Sequence, residues 1–229
     1  MDITKSINAL NEFYFEVKND GNGRYRSWEH CYFEFYKARN QTLNNELLDH
    51  LCLHLAFYLA SWGMYRGSSF LLQKDYKVHK KAVEELMKRK YNPLLGISCV
   101  KLIDKKNQLV LQTLIDALRK IYNDIRINVK GSNLKNAISD TLITKILMGT
   151  LGCVPAYDRY FIDGIRKQGV STGTFNFRSL EQLVEFYSSN KQIFENERKK
   201  MKIEELDYPQ MKIIDMIFWQ IGYDSDLNK

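Results

Sequence analysis

Proline and glycine are scarce, three and twelve in 229 residues. A fold of many short strands consumes both residues in its turns, so the shortage points to long helices and away from a sandwich or barrel. The four cysteines, Cys31, Cys52, Cys99 and Cys153, show no CxxC pairing and no metal-ligand rhythm. Each sits among apolar residues, the setting of a reduced, buried thiol. Without four clustered thiolates, an iron–sulfur cluster is excluded and no cofactor is expected. Long apolar runs are missing as well. A bilayer span needs about 20 apolar residues, and the most apolar stretch, around 51–62, is interrupted by His54 and Ser61. The N-terminus "MDITKSINAL" has no basic region leading into an apolar core, so the expected location is the cytoplasm, with no membrane contact. No G-x-x-x-x-G-K-[ST], G-x-G-x-x-G or G-x-S-x-G occurs, which sets aside phosphate-loop NTPases, dinucleotide-binding enzymes and α/β hydrolases.

Hydrophobic residues at 45% and aromatics at 13% suffice for a substantial core, in one domain or two intimately packed lobes over residues 1–229. The formal charge of +7 favours an anionic partner, nucleic acid being the commonest for a basic domain; plain solubility is the competing explanation. Apolar periodicity predicts amphipathic helices over 3–18, 27–39 (with Ser27 as N-cap), 44–61, 76–91, 107–126, 179–200 and 208–221. The 44–61 helix is the most apolar and is expected at the centre, with Phe57 widening its inner stripe. In "SWEHCYFEFYKAR", Tyr36 is expected on the inner face. The class is all-α, without repeats or heptads.

The histidines carry little chemistry. His50 and His54 have the i,i+4 spacing of a helical metal pair but no third ligand in sequence, so no metal site is expected. His30 and His79 read as surface residues. The basic stretch 77–90 and the run "ERKKMK" read as solvated faces that could touch phosphate.

The segment "AISDTLITKILMGTLGCVPAYDRYFIDGIR", 137–166, holds the chemistry. A turn enters a helix at Ser139 or Asp140, the helix runs to about Leu151, and Gly152 and Pro155 break it. A second helix follows with Asp158 in its first turn. This organisation, with Pro155-Ala156-Tyr157-Asp158 as P-x-x-D, resembles the helix-hairpin-helix superfamily of DNA glycosylases. The resemblance implies a two-lobed helical bundle with a helix-hairpin-helix motif, hairpin-helix and catalytic loop within about 136–166, and a cleft between lobes. It implies a monomer acting on double-stranded DNA that contains a damaged or modified base. The base would be flipped and its N-glycosidic bond hydrolysed, in base excision repair or in defence against modified phage DNA.

By that resemblance Asp158 is the catalytic acid. Ala137, Ile138, Ser139 and Thr141 hold the DNA backbone. The turn "WGMYRGSS" fills the gap left by the flipped base, with Arg66 on phosphate and Trp62 and Tyr65 as wedge or pocket. Tyr157 and Tyr160 flank the acid. The chain departs from the family pattern in two places. Ala137 and Ser139 stand where the hairpin usually has glycines, and Thr141 stands where strand-cleaving members carry a lysine. The implied enzyme is therefore monofunctional, with Lys145, one turn further on the same face, as the secondary catalytic candidate for strand cleavage. Two readings compete: a non-catalytic basic helical nucleic-acid-binding protein, and a helical interaction protein in which Asp158 merely caps a helix.

Overall fold

Local side-chain capping marks where five of the α-helices begin. In the computed structural model, which describes residues 2–67, 69–129 and 137–227, Asp2 caps α1 (Ile3–Asn19) by accepting from the Thr4 N–H at 2.9 Å. Helix α2 (Ser27–Ala38) follows a 3-10 turn. Ser27 is its first residue rather than its cap: its hydroxyl donates to the Arg24 carbonyl and accepts from the Trp62 indole. Asn44 caps α3 (Asn45–Ser61).

The expected single helix over 76–91 is instead a 3-10 turn at Tyr76–His79, α4 (Lys80–Leu86) and a second 3-10 stretch, Arg89–Leu94. The Glu85 carboxylate ties the fold-back together. It gathers Lys88, Lys90 and the Tyr91 hydroxyl, and the Tyr91 ring is fully buried. A short α5 (Cys99–Leu102) leads into α6 (Lys105–Arg126). Then come α7 (Asp140–Leu151), α8 (Arg159–Lys167), α9 (Phe177–Ser189) and α10 (Lys191–Arg198). The expected 179–200 helix divides at Asn190, whose side chain donates to the Phe186 carbonyl. A two-strand ribbon, β1 (Lys202–Ile203) against β2 (Leu206–Asp207), precedes α11 (Gln210–Leu227). The ribbon was not expected. Its turn is made by Glu204 in the left-handed region, φ 50°, without a glycine or asparagine to announce it.

The all-α class holds, but its centre lies elsewhere. Every residue from 142 to 151 of α7 and from 211 to 222 of α11 is buried. Helix α3 packs one face against α2, α4 and α7 and turns Leu53 and Phe57 to solvent, each more than half exposed. Tyr36 on α2 is likewise exposed rather than inward. Hydrophobicity summed along α3 does not show that its apolar residues are spread around the cylinder, too many for one face. The four cysteines are buried and unpaired. Among the described residues no helix is long and apolar enough to cross a membrane.

Two elements position the site. Helix α8 crosses α11 at Gly164 and Gly222, where the backbones approach so closely that a Cβ on either would overlap a carbonyl oxygen of the other helix. Helix α7 ends at Gly152, left-handed at φ 61°, whose N–H returns to the Leu147 and Met148 carbonyls.

Candidate functional site

A lysine in the middle of a buried helix must find a partner or lose its proton. Lys145, flanked on α7 by buried residues on every side, finds two. Its Nζ lies 3.2 Å from Asp158 Oδ2 and donates to the Trp62 carbonyl at 2.7 Å. Asp158 is the N-cap of α8, its Oδ1 accepting from the Phe161 N–H at 3.1 Å. The carboxylate therefore does what a cap does with one oxygen and faces the lysine with the other. Its side chain keeps 13% exposure against 5% for Lys145, so solvent reaches the pair from the aspartate side.

The loop 152–158 that delivers Asp158 is pinned at three points. The Thr141 hydroxyl donates to the Tyr157 carbonyl, the Tyr157 N–H donates to Thr144 Oγ1, and the Ala156 N–H donates to Asp215 Oδ1. Asp215 belongs to a second buried pair, its Oδ2 accepting from Lys212 Nζ at 2.8 Å. The Lys212 ammonium also lies 4.8 Å from the Phe13 ring centre and 4.9 Å from that of Trp28, a cation–π setting that offsets part of its desolvation. Two lysines and two aspartates thus cancel in charge around Trp62. With Tyr58, Ala156 and Trp219 they enclose a cavity of about 10 Å³, room for about one water molecule. Burial, then the charges of Asp215, Cys31 and Asp158, push the Tyr58 hydroxyl well above its usual range.

The structure brings Lys145, Asp158 and Trp62 together and sends the other sequence candidates elsewhere. Trp62 is packed rather than projecting: its ring meets Phe13, Tyr25 and Trp219, and its indole N–H donates to Ser27. Tyr157 turns from the acid into the core against Phe161 and Phe175, its hydroxyl sharing a hydrogen bond with Ser179. Tyr160 packs on Trp219 and Tyr223. Arg66 is exposed, its guanidinium folded over Gly63, which has φ 77°. Ser139 caps α7, accepting from the Leu142 N–H at 3.3 Å, while Ala137 is exposed and Ile138 is buried. Thr141 is committed to the loop. The hairpin expected on 137–139 is the extended lead into the N-terminus of α7, and residues 130–136 ahead of it lie outside the described residues.

Lys212 and Asp215 were missed. Their signal is the stretch "MKIIDMIFW", two charges three residues apart inside an apolar helix, a spacing that places them on one face. His50 contacts Glu34 at 3.0 Å, and its ring lies 4.4 Å from that of His54 at a tilt of 56°; among the described residues no three His, Cys, Asp or Glu side chains converge as a metal-binding group.

His79 is fully buried, not a surface residue. Its Nε2 pairs with the Tyr65 hydroxyl and its Nδ1 with the Tyr122 hydroxyl, both at 2.7 Å. A neutral imidazole has one N–H, so it donates to one hydroxyl and accepts from the other. Tyr65 is therefore an anchor for the turn 62–67, not a free wedge. Burial pushes the His79 pKa down to about 3, from the ordinary 6.5 of an unfolded chain. The unfolded state takes the proton that the folded state refuses. This contribution to stability is complete above pH 6.5 and declines as pH falls, by about 2–3 kcal/mol near pH 4.5. His79→Gln keeps a donor and an acceptor but does not titrate. Its chemical-denaturation stability is expected to decline less steeply across that window than the wild type's, by the His79 share; parallel slopes in the two proteins would remove His79 as a cause.

No protein-family model, curated protein or solved structure matches this chain.

Proposed function

We propose that the chain is a DNA N-glycosylase of the helix-hairpin-helix kind, with Asp158 as its reacting carboxylate and Lys145 beside it. One observation carries the reading: two successive helices present a buried ammonium and a carboxylate 3.2 Å apart at the joint where the sequence resemblance asks for the catalytic acid. In the reaction the bond from the sugar C1′ to the base nitrogen breaks and its electron pair leaves with the base. The carboxylate faces the positive charge that builds on the sugar and takes a proton from the attacking water, which passes to the departing base. Lys145 orients the carboxylate. A nucleoside does not fit a cavity of about 10 Å³. Substrate entry therefore requires the turn 62–67 to move, withdrawing the Trp62 carbonyl from Lys145 and opening the acid to DNA.

The smallness of the cavity favours a second reading, a non-catalytic nucleic-acid-binding protein in which the pair is structural. Base release from duplexes carrying a panel of damaged and phage-type bases separates the two. Asp158→Asn retains a capping oxygen for the Phe161 N–H, and melting of the variant checks its fold. Release is expected to fall by about 10²–10⁴-fold in it. Release that survives the substitution, or that is absent from the wild type, removes the catalytic reading; DNA binding without release leaves the second. Borohydride trapping of a protein–DNA adduct that needs Lys145 would show that the lysine attacks the sugar itself, against the monofunctional expectation.

A further inference from the structure

The sequence contains two basic stretches, and the structure treats them differently. In the run at 198–202 three of the four cations are taken up: Arg198 by Glu195 and Asp207, Lys200 by Glu197, Lys202 by Asp207. Further along the 77–90 stretch, Lys88 and Lys90 are held by Glu85. At its beginning the chain instead borders a groove of about 700 Å³ between residues 73–81 and the C-terminal half of α6. Lys74, Lys77, Lys80 and Lys81 stand along it against Asp75 and Asp124, over a floor that includes Val78, Ile121 and Ile125. Lys77 has a carboxylate at 3.9 Å, Asp49. Asp75 is spent on capping, its side chain accepting from the Lys77 N–H at 2.8 Å.

We infer that this groove binds the phosphate backbone of nucleic acid. The choice of DNA rests on the function proposed above; the groove's polyanion character does not. Ammonium groups on flexible stems, ranged along a trough with apolar patches below, suit a chain of phosphates whose sugars and bases lie against the floor. A lipid surface is flat on this scale and does not enter a trough. The groove is also joined to the candidate site. His79, at the end of its Tyr76–His79 turn, holds Tyr65 at 2.7 Å, and three residues before Tyr65 the Trp62 carbonyl accepts from Lys145. A strand pressing on residues 73–81 pushes on the turn that covers the lysine.

The test uses the full chain and a fluorescently labelled 20-base-pair duplex, read by anisotropy across a salt series. Lys80→Glu/Lys81→Glu lies in the first turn of α4, where acidic residues suit the helix dipole. Lys105→Glu/Lys106→Glu makes the same charge change in the first turn of α6, on exposed residues away from the groove. The groove variant is expected to bind at least roughly tenfold more weakly, and its slope of log affinity against log salt to fall by about 2. The α6 variant is expected to keep the wild-type slope. Equal losses in the two variants, no duplex binding by the wild type, or binding only to phosphatidylserine vesicles would each overturn the inference. Its fate is separable from that of the catalytic reading. Groove-dependent binding without base release leaves the groove and removes the glycosylase; base release with both charge variants binding alike does the reverse.

Discussion

Lys145→Met is expected to lower the unfolding free energy by about 3–5 kcal/mol, the loss that follows when one partner of a buried ion pair is removed. Two groups are left short. Asp158 Oδ2 loses its cation and the Trp62 carbonyl loses its donor. Asp158→Asn keeps a capping oxygen for the Phe161 N–H but puts an amide NH2 where Oδ2 faced Lys145, leaving the ammonium with the Trp62 carbonyl. The double variant Lys145→Met/Asp158→Asn buries no charge at this joint and is expected to be more stable than Lys145→Met alone, with a coupling of about 1–3 kcal/mol. Urea denaturation of the four proteins closes the cycle. Since the side chains are only 5% and 13% exposed, the coupling should persist at high salt, where a surface pair would fade. A coupling near zero, or one that salt abolishes, would mean the two groups do not meet in solution.

The second large effect concerns two glycines. On a solvent-facing helix, glycine to alanine stabilises by about 1 kcal/mol. At Gly164 and Gly222 the sign reverses. A Cβ at Gly164 would overlap the Phe218 carbonyl, and one at Gly222 would overlap the Tyr160 carbonyl. Neither clash can be relieved by turning a side chain, because the obstacle is backbone; α8 and α11 must separate. Each alanine is expected to cost about 3 kcal/mol or more, at the upper end of overpacking. Gly21→Ala, with nothing within 4 Å of the added methyl, is the matched control and should melt near wild type. Separating these helices also moves Asp158, at the head of α8, away from Asp215 on α11, which holds the Ala156 N–H. Loss of stability and loss of any Asp158-dependent activity should therefore appear together. Thermal melts of Gly164→Ala and Gly222→Ala that match Gly21→Ala would remove the close crossing.

Some of this architecture is written locally. Ser139 beside Asp140, Gly152 after an apolar run, and an aspartate three residues past Pro155 are a cap, a stop and a cap, and each acts on backbone groups within a few residues of itself. Such signals are legible because the interaction and the sequence separation are both short. The helix over 140–151, its end at Gly152 and the position of Asp158 at the mouth of α8 follow from them.

Distant partners decided the rest. Nothing in the spacing of α7 says that Lys145 meets Asp158 and a carbonyl 83 residues earlier in the chain. The periodicity around His79 does not reveal that Tyr65 and Tyr122 close over it, and an apolar count along α3 does not reveal that α7 and α11 take the centre. Sequence patterns give each helix its sides. Which side is buried, and which buried charge faces which, depends on the competition among all faces for one core. That competition is settled by the summed area removed from water and by the cost of leaving any charge unpaired. For this chain the sequence determined the all-helical class, the helix over 140–151 and the acid that follows it. The tertiary structure alone gave that acid a lysine, pinned its loop to α11, and lined one groove beside α6 with four lysines.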